Sequence, residues 1–184
     1  SSPLESEIEN GEFREHQFLK SVPMSSYLFS FVVGDFKIEE KDLGDDKMNI
    51  LYRETNHDKI EASLQPIADI HQLSLDFLKQ YTNSDFPYEK FDIAAIPGFQ
   101  YGGMEHVGAV QYRQSSLFLD STATKSQELS RAKLIAHETS HMWFGNLVTM
   151  KWFDDVWMKE VFANFMADKI INPIFSSINH DLQF

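Results

Sequence analysis

The chain has 184 residues, 42% hydrophobic and 14% aromatic, which is more apolar material than a disordered segment carries and enough for one substantial core. Sixteen basic against twenty-eight acidic residues leave a net charge of −12, which opposes binding to nucleic acid or anionic lipid and favours cationic partners. With no cysteine, disulfides and thiolate-held metals are excluded, and no apolar run approaches the roughly 18 residues of a membrane span.

Residues 1–15 are polar and acidic and read as an arm. From Phe18 to Ile38 the chain is rich in Val, Phe and Tyr, and residues 27–33 form its clearest strand pattern, with Gly34-Asp35 as an interruption and residues 36–38 as a resumption. The charged stretch from Lys41 to Lys47 marks the expected boundary between a unit at 1–45 and another at 46–184. A short strand is expected over 49–53. Asn56-His57-Asp58 then opens a helix running to about Tyr81, whose stripe is Ile60, Leu64, Ile67, Ile70, Phe77, Leu78 and Tyr81. Pro66 inside it predicts a break or kink. Residues 91–96 read as a buried strand, and residues 107–113 as another whose alternation continues towards Leu117-Phe118-Leu119. Thr124 with Gln127 predicts a capping box at the head of a second long helix, and Gly145-Asn146 its end. A third helix is expected from Asp155 to Ile171, with Glu160 on the face of the small residues Ala163 and Ala167.

The second of these helices carries His137-Glu138-Thr139-Ser140-His141, an H-E-x-x-H, and Glu160 follows after eighteen residues. Positions i and i+4 of a helix lie about 40° apart around its axis, so both imidazoles project from one face and can share one small cation. Two His and one Glu leave a fourth tetrahedral position open for water, as a catalytic zinc site requires. Leu134, Ile135 and Ala136 before the motif and Met142, Trp143 and Phe144 after it place it inside a domain, where such polar groups cost several kcal/mol unless a metal or hydrogen bonds compensate. Glu138 adjoins the predicted ligands His137, His141 and Glu160 without being one. Its natural role is general base, taking a proton from water and delivering it to a departing amine. The reaction class is metal-assisted hydrolysis of an amide.

A second segment, Phe99-Gln100-Tyr101-Gly102-Gly103-Met104-Glu105-His106, pairs two glycines with a carboxylate. The glycines permit close approach by another chain, and a substrate could add to such an edge as a strand while Glu105 faces a cationic group. Taken alone, the segment reads rather as a Gly-Gly turn beside a solvated Glu.

Together the two segments resemble the aminopeptidase N family of zinc aminopeptidases, the gluzincins that include leukotriene hydrolase. The family's G-x-M-E-N loop is matched by residues 102–106, and its H-E-x-x-H-x18-E by His137 to Glu160. Ala95-Ile96-Pro97, the run from Trp143 to Thr149, Trp157-Met158-Lys159-Glu160 and, upstream, residues 24–28 agree with it over about residues 20–175. The resemblance implies an α+β fold: a thermolysin-like catalytic domain of mixed sheet plus helices, preceded by the end of a β domain. It implies one Zn2+ per chain and peptide substrates with a free N-terminus, whose α-amine Glu105 would bind. Gly102 and Gly103, with Met104 beside them, would hold the scissile segment, and Gln100 and Tyr101 would border the first side-chain pocket.

Three residues depart from the family pattern: His106 stands for Asn, Val161 for Gly and Lys159 for Asn. The family also uses a tyrosine several dozen residues beyond the third ligand to stabilise the oxyanion, whereas the last tyrosine here is Tyr112. Loss of one such donor costs about 10²–10³ in rate. A fragment of a larger enzyme is therefore expected, lacking a C-terminal helical domain that would close the cleft. His16, His57, His71 and His180 lack ligand spacing and read as ordinary surface or core residues. Asp154 or Asp155 is expected to cap a helix or to orient a ligand histidine. Trp143, Phe144, Trp152, Phe153 and Trp157 read as core. Two alternatives stay open: an endopeptidase or epoxide hydrolase on the same metal site, and a catalytically silent peptide-binding fragment.

Overall fold

The computed structural model describes residues 2–44 and 46–178, so His180 lies outside the described residues. At its centre is a five-stranded mixed sheet built from β3 (Lys37–Leu43), β4 (Asp46–Tyr52), β5 (Asp92–Ile96), β6 (Gly103–Met104) and β7 (Ala109–Arg113), in the order β3-β4-β5-β7-β6. β4, β5 and β7 run parallel, and β3 and β6 are antiparallel to their neighbours. Ile93, Ala95, Val110 and Tyr112 point from β5 and β7 into the core against α1 (His57–Thr82), α3 (Lys125–Ser140) and α4 (Val156–Ile171). Ahead of the sheet, β1 (Leu4–Asn10) and β2 (Phe13–Phe18) form an exposed antiparallel hairpin turned by Gly11 at φ 63°, over the stretch read as an arm.

Other expectations change for identifiable reasons. Residues 27–33 make no strand. Ser26–Leu28 is a 3-10 turn with Leu28 buried, and Phe29, Phe31 and Val33 are 67%, 78% and 86% exposed. An alternating apolar pattern becomes a strand only where a neighbour takes up its backbone groups, and no strand pairs with this one among the described residues. Within the charged stretch, β3 and β4 pair antiparallel, with Lys41 opposite Met48, Asp42 opposite Lys47 and Leu43 opposite Asp46. α1 is continuous through Pro66, because Ile60, Leu64, Ile67, Leu75 and Leu78 bury one face on both sides of it. A short helix, α2 (Gln114–Leu117), interrupts the run that was to continue from β7 to Leu119. Of the five aromatics read as core, Trp143 is buried, but Trp152, Phe153 and Trp157 are 70%, 68% and 59% exposed.

α3 begins with the expected capping box: Thr124 Oγ1 accepts from Gln127 N, and the Gln127 side chain accepts from Thr124 N at 2.8 Å. It ends at Ser140, earlier than Gly145. Beyond it the bonds widen to five-residue spacing, Asn146 N to His141 O at 3.0 Å and Leu147 N to Met142 O at 3.2 Å. His141 itself keeps right-handed helical dihedrals as the C-cap, so the i, i+4 register of the two histidines survives. α4 follows a 3-10 turn, Phe153–Asp155, and lays buried Ala163 and Ala167 against α3, with Lys133 and Asp168 paired at 2.7 Å.

Candidate metal centre

His137 and His141 leave the end of α3 on one face, and Glu160 meets them from the first turns of α4. Their three donor atoms converge: His137 Nε2 to His141 Nε2 3.0 Å, His137 Nε2 to Glu160 Oε2 3.3 Å, and His141 Nε2 to Glu160 Oε2 3.5 Å. Bonds of about 2 Å to one tetrahedral ion set its ligand atoms about 3.3 Å apart. The outer nitrogens fix the tautomers. His137 Nδ1 donates to Asn164 Oδ1 at 2.9 Å and His141 Nδ1 to the Phe144 carbonyl at 3.0 Å. That carbonyl is free because the widened turn sends Val148 N to Trp143 O instead. In the neutral rings both Nε2 lone pairs therefore face each other and a carboxylate oxygen, an arrangement of three acceptors that a cation satisfies. His137, His141 and Glu160 thus form a group able to hold a metal ion.

Glu138, one residue round the helix, is 4% exposed, and its Oε2 is buried with no hydrogen-bond partner among the described residues. Burial pushes its carboxyl up to about 8; the charge of His137 opposes this, and Glu105 and Glu160 add to it. A cation on the three neighbouring donors would draw it down again. Strand β6 lies against this carboxylate so closely that a Cβ on Gly103 would stand 2.6 Å from Glu138 Cγ, so the glycine serves the approach of β6 to Glu138.

Glu105 lies just past β6, 3% exposed. Its carbonyl accepts from Asn146 Nδ2 at 2.9 Å, and its Oε1 accepts from Tyr27 OH at 3.3 Å and from the Lys159 ammonium. Burial raises its carboxyl, but the charges of His141 and Lys159 and the Lys159 hydrogen bond outweigh burial and hold it below the usual range. Glu105, Glu138 and His141 also converge within 4.8 Å, but the Lys159 ammonium already supplies that cluster's positive charge. His106 bonds the Leu28 carbonyl through Nδ1 at 3.0 Å, tethering the 26–28 turn to the loop.

A family model of the peptidase family M1 domain matches residues 67–184. The chain belongs to peptidase family M1. It is 36% identical to endoplasmic reticulum aminopeptidase 2 of Homo sapiens across 97% of this chain and 18% of that protein. It is likewise 36% identical to leucyl aminopeptidase of Saccharolobus solfataricus across 93% of this chain and 21% of that protein, and 40% identical to endoplasmic reticulum aminopeptidase 1 of Mus musculus across 83% and 16%. The chain spans about a fifth of the length of the curated relatives it matches. The mixed sheet with helices is the α+β architecture expected of this M1 domain.

In the M1 chain a cleft runs beside the donors, lined by Gly102, Gly103, Leu134, His137, Glu138 and Asn164 among others. Met104 is half-buried in β6 opposite Gln111. Gln100 and Tyr101 are exposed. The Gln100 carbonyl accepts from Arg113 Nη2 at 2.7 Å, and Tyr101 packs edge-on against Phe99. Asp154 and Asp155 orient neither histidine, and Asp155 stands at the N-cap of α4 without a side-chain bond. Asn164, Tyr27 and Asn146 were absent from the sequence-derived site. Asn164 was within reach, since it lies one turn after Glu160 on the same helix. Tyr27 is 78 residues from Glu105, and no local pattern signals it.

Proposed function

We propose that this chain is the metal-bearing part of a zinc aminopeptidase. The observation that carries the reading is the convergence of three potential ligand atoms, His137 Nε2, His141 Nε2 and Glu160 Oε2, beside Glu138 Oε2, which has no hydrogen-bond partner among the described residues. Zinc held by these three would supply Lewis-acid activation of a water and of the scissile carbonyl.

The protein's own residues do the rest. Glu138 is desolvated and open on Oε2, so it can take the proton of the attacking water and pass it to the departing amine. Asn164 and the Phe144 carbonyl keep both rings oriented through the cycle. β6 is the edge of the sheet, where an extended peptide can pair, and Glu105 at its end offers a buried carboxylate to an α-ammonium. The relatives, each named an aminopeptidase, support this assignment. No helix among the described residues is long and apolar enough to cross a membrane.

The test uses the full-length protein that carries this chain, with leucine 4-nitroanilide and its N-acetyl form. Hydrolysis of the free-amine substrate alone, lost on chelation and restored by zinc, is the expected result. Equal turnover of the two substrates would refute amine recognition and favour an endopeptidase.

A further inference from the structure

Lys159 is the departure that the proposed chemistry leaves unused. It precedes Glu160 on α4, and neighbouring helical residues point about 100° apart, so Glu160 reaches the histidines while Lys159 reaches Glu105. The side chains of the pair are 8% and 4% exposed. The Lys159 ammonium bonds Glu105 Oε1, stands 2.9 Å from Glu160 Oε1, and lies 5.2 Å from the centroid of the Tyr27 ring, whose hydroxyl donates to the same Glu105 oxygen. A primary ammonium in a buried carboxylate and aromatic setting is the chemistry expected of a bound α-amine.

We propose that Lys159 is an internal competitor for the substrate's α-ammonium, which holds Glu105 until a free-amine ligand takes its place. The inference rests on the reading of Glu105 as the amine anchor. The exchange replaces one ammonium on Glu105 by another, and Lys159 keeps a second carboxylate, Glu160 Oε1, to retire to. Buried charge is therefore never left unpaired, which makes the occupant displaceable. Its cost falls on every ligand that needs Glu105, so Lys159 sets how strongly the site discriminates a charged amine from a neutral group of the same shape.

The experiment measures binding to the zinc-loaded full-length protein by calorimetry. The probe is 3-methylbutylamine, a cation with nothing to hydrolyse, and the control is the neutral 3-methylbutan-1-ol. Lys159→Asn should bind the amine about tenfold more tightly than the unsubstituted protein, with the alcohol unchanged. Should that variant fail to fold, Lys159→Met, of similar length and uncharged, carries the same expectation. Amine affinity that is unchanged or weaker, or a gain shared equally by the alcohol, overturns the proposal. Glu105→Gln separates the two levels. If it abolishes amine binding while the Lys159 variants show no gain, the competitor is wrong and the anchor stands. If it leaves amine binding intact, both fail.

Discussion

Asn164 shows how one side chain decides what two others can do. By accepting from His137 Nδ1 it leaves Nε2 as the lone-pair donor and stops the ring from rotating. Asn164→Ala should weaken metal retention by about 10–100-fold, read by competition with a chromophoric chelator; an unchanged affinity would mean that the ring is held by packing alone. The convergence of His137 and His141 was legible in the sequence because helical spacing fixes it, one turn apart with Glu138 beside them, whereas Glu160 stands on α4 and only the tertiary fold brings it to them. Gly103 was legible as a close approach, but the partner that demands it is Glu138 from α3, a contact set by the tertiary fold. Lys159 was visible only as a departure from a pattern, and its meaning came from Glu105, which lies 54 residues earlier.

At the scale of elements, α1 and β7 are joined by a buried polar pair. His71 is fully buried, donating from Nδ1 to the Ile67 carbonyl at 2.8 Å and accepting at Nε2 from Tyr112 OH at 3.1 Å. Burial lowers its pKa from 6.5 to about 4, against the opposing Ile67 bond. Between those values the unfolded chain takes up a proton that the folded chain refuses, so the stabilisation is complete above pH 6.5 and is lost as pH falls towards 4. The loss amounts to about 3 kcal/mol. His71→Gln should flatten that part of the acid-side fall in the thermal midpoint; an undiminished slope would place the titration elsewhere. Helix α1, the head of α3 and the buried strands β5 and β7 were legible because periodicity and caps are local. Residues 27–33 carried as strong a strand pattern, yet pairing needs a second strand that a one-dimensional pattern cannot supply. The exposed Trp152, Phe153 and Trp157 teach the same lesson: aromatic content marks what can be buried, and only the surrounding fold decides what is.

Over the whole molecule, the M1 domain brings a sheet edge, the end of α3 and the start of α4 to one place, so Glu105, the pair His137 and His141 with Glu138, and Glu160 meet from three separate parts of the fold. A net charge of −12 sets a negative field around a site proposed to receive cationic N-termini. The central claim is that Glu138 moves the proton in a zinc-dependent hydrolysis. Its most direct test is Glu138→Gln in the full-length protein, with bound zinc and the turnover of leucine 4-nitroanilide measured on the same sample. The account predicts one zinc per chain as in the unsubstituted protein and a kcat lower by about 10²–10⁴. Near-normal turnover at full zinc occupancy would contradict it.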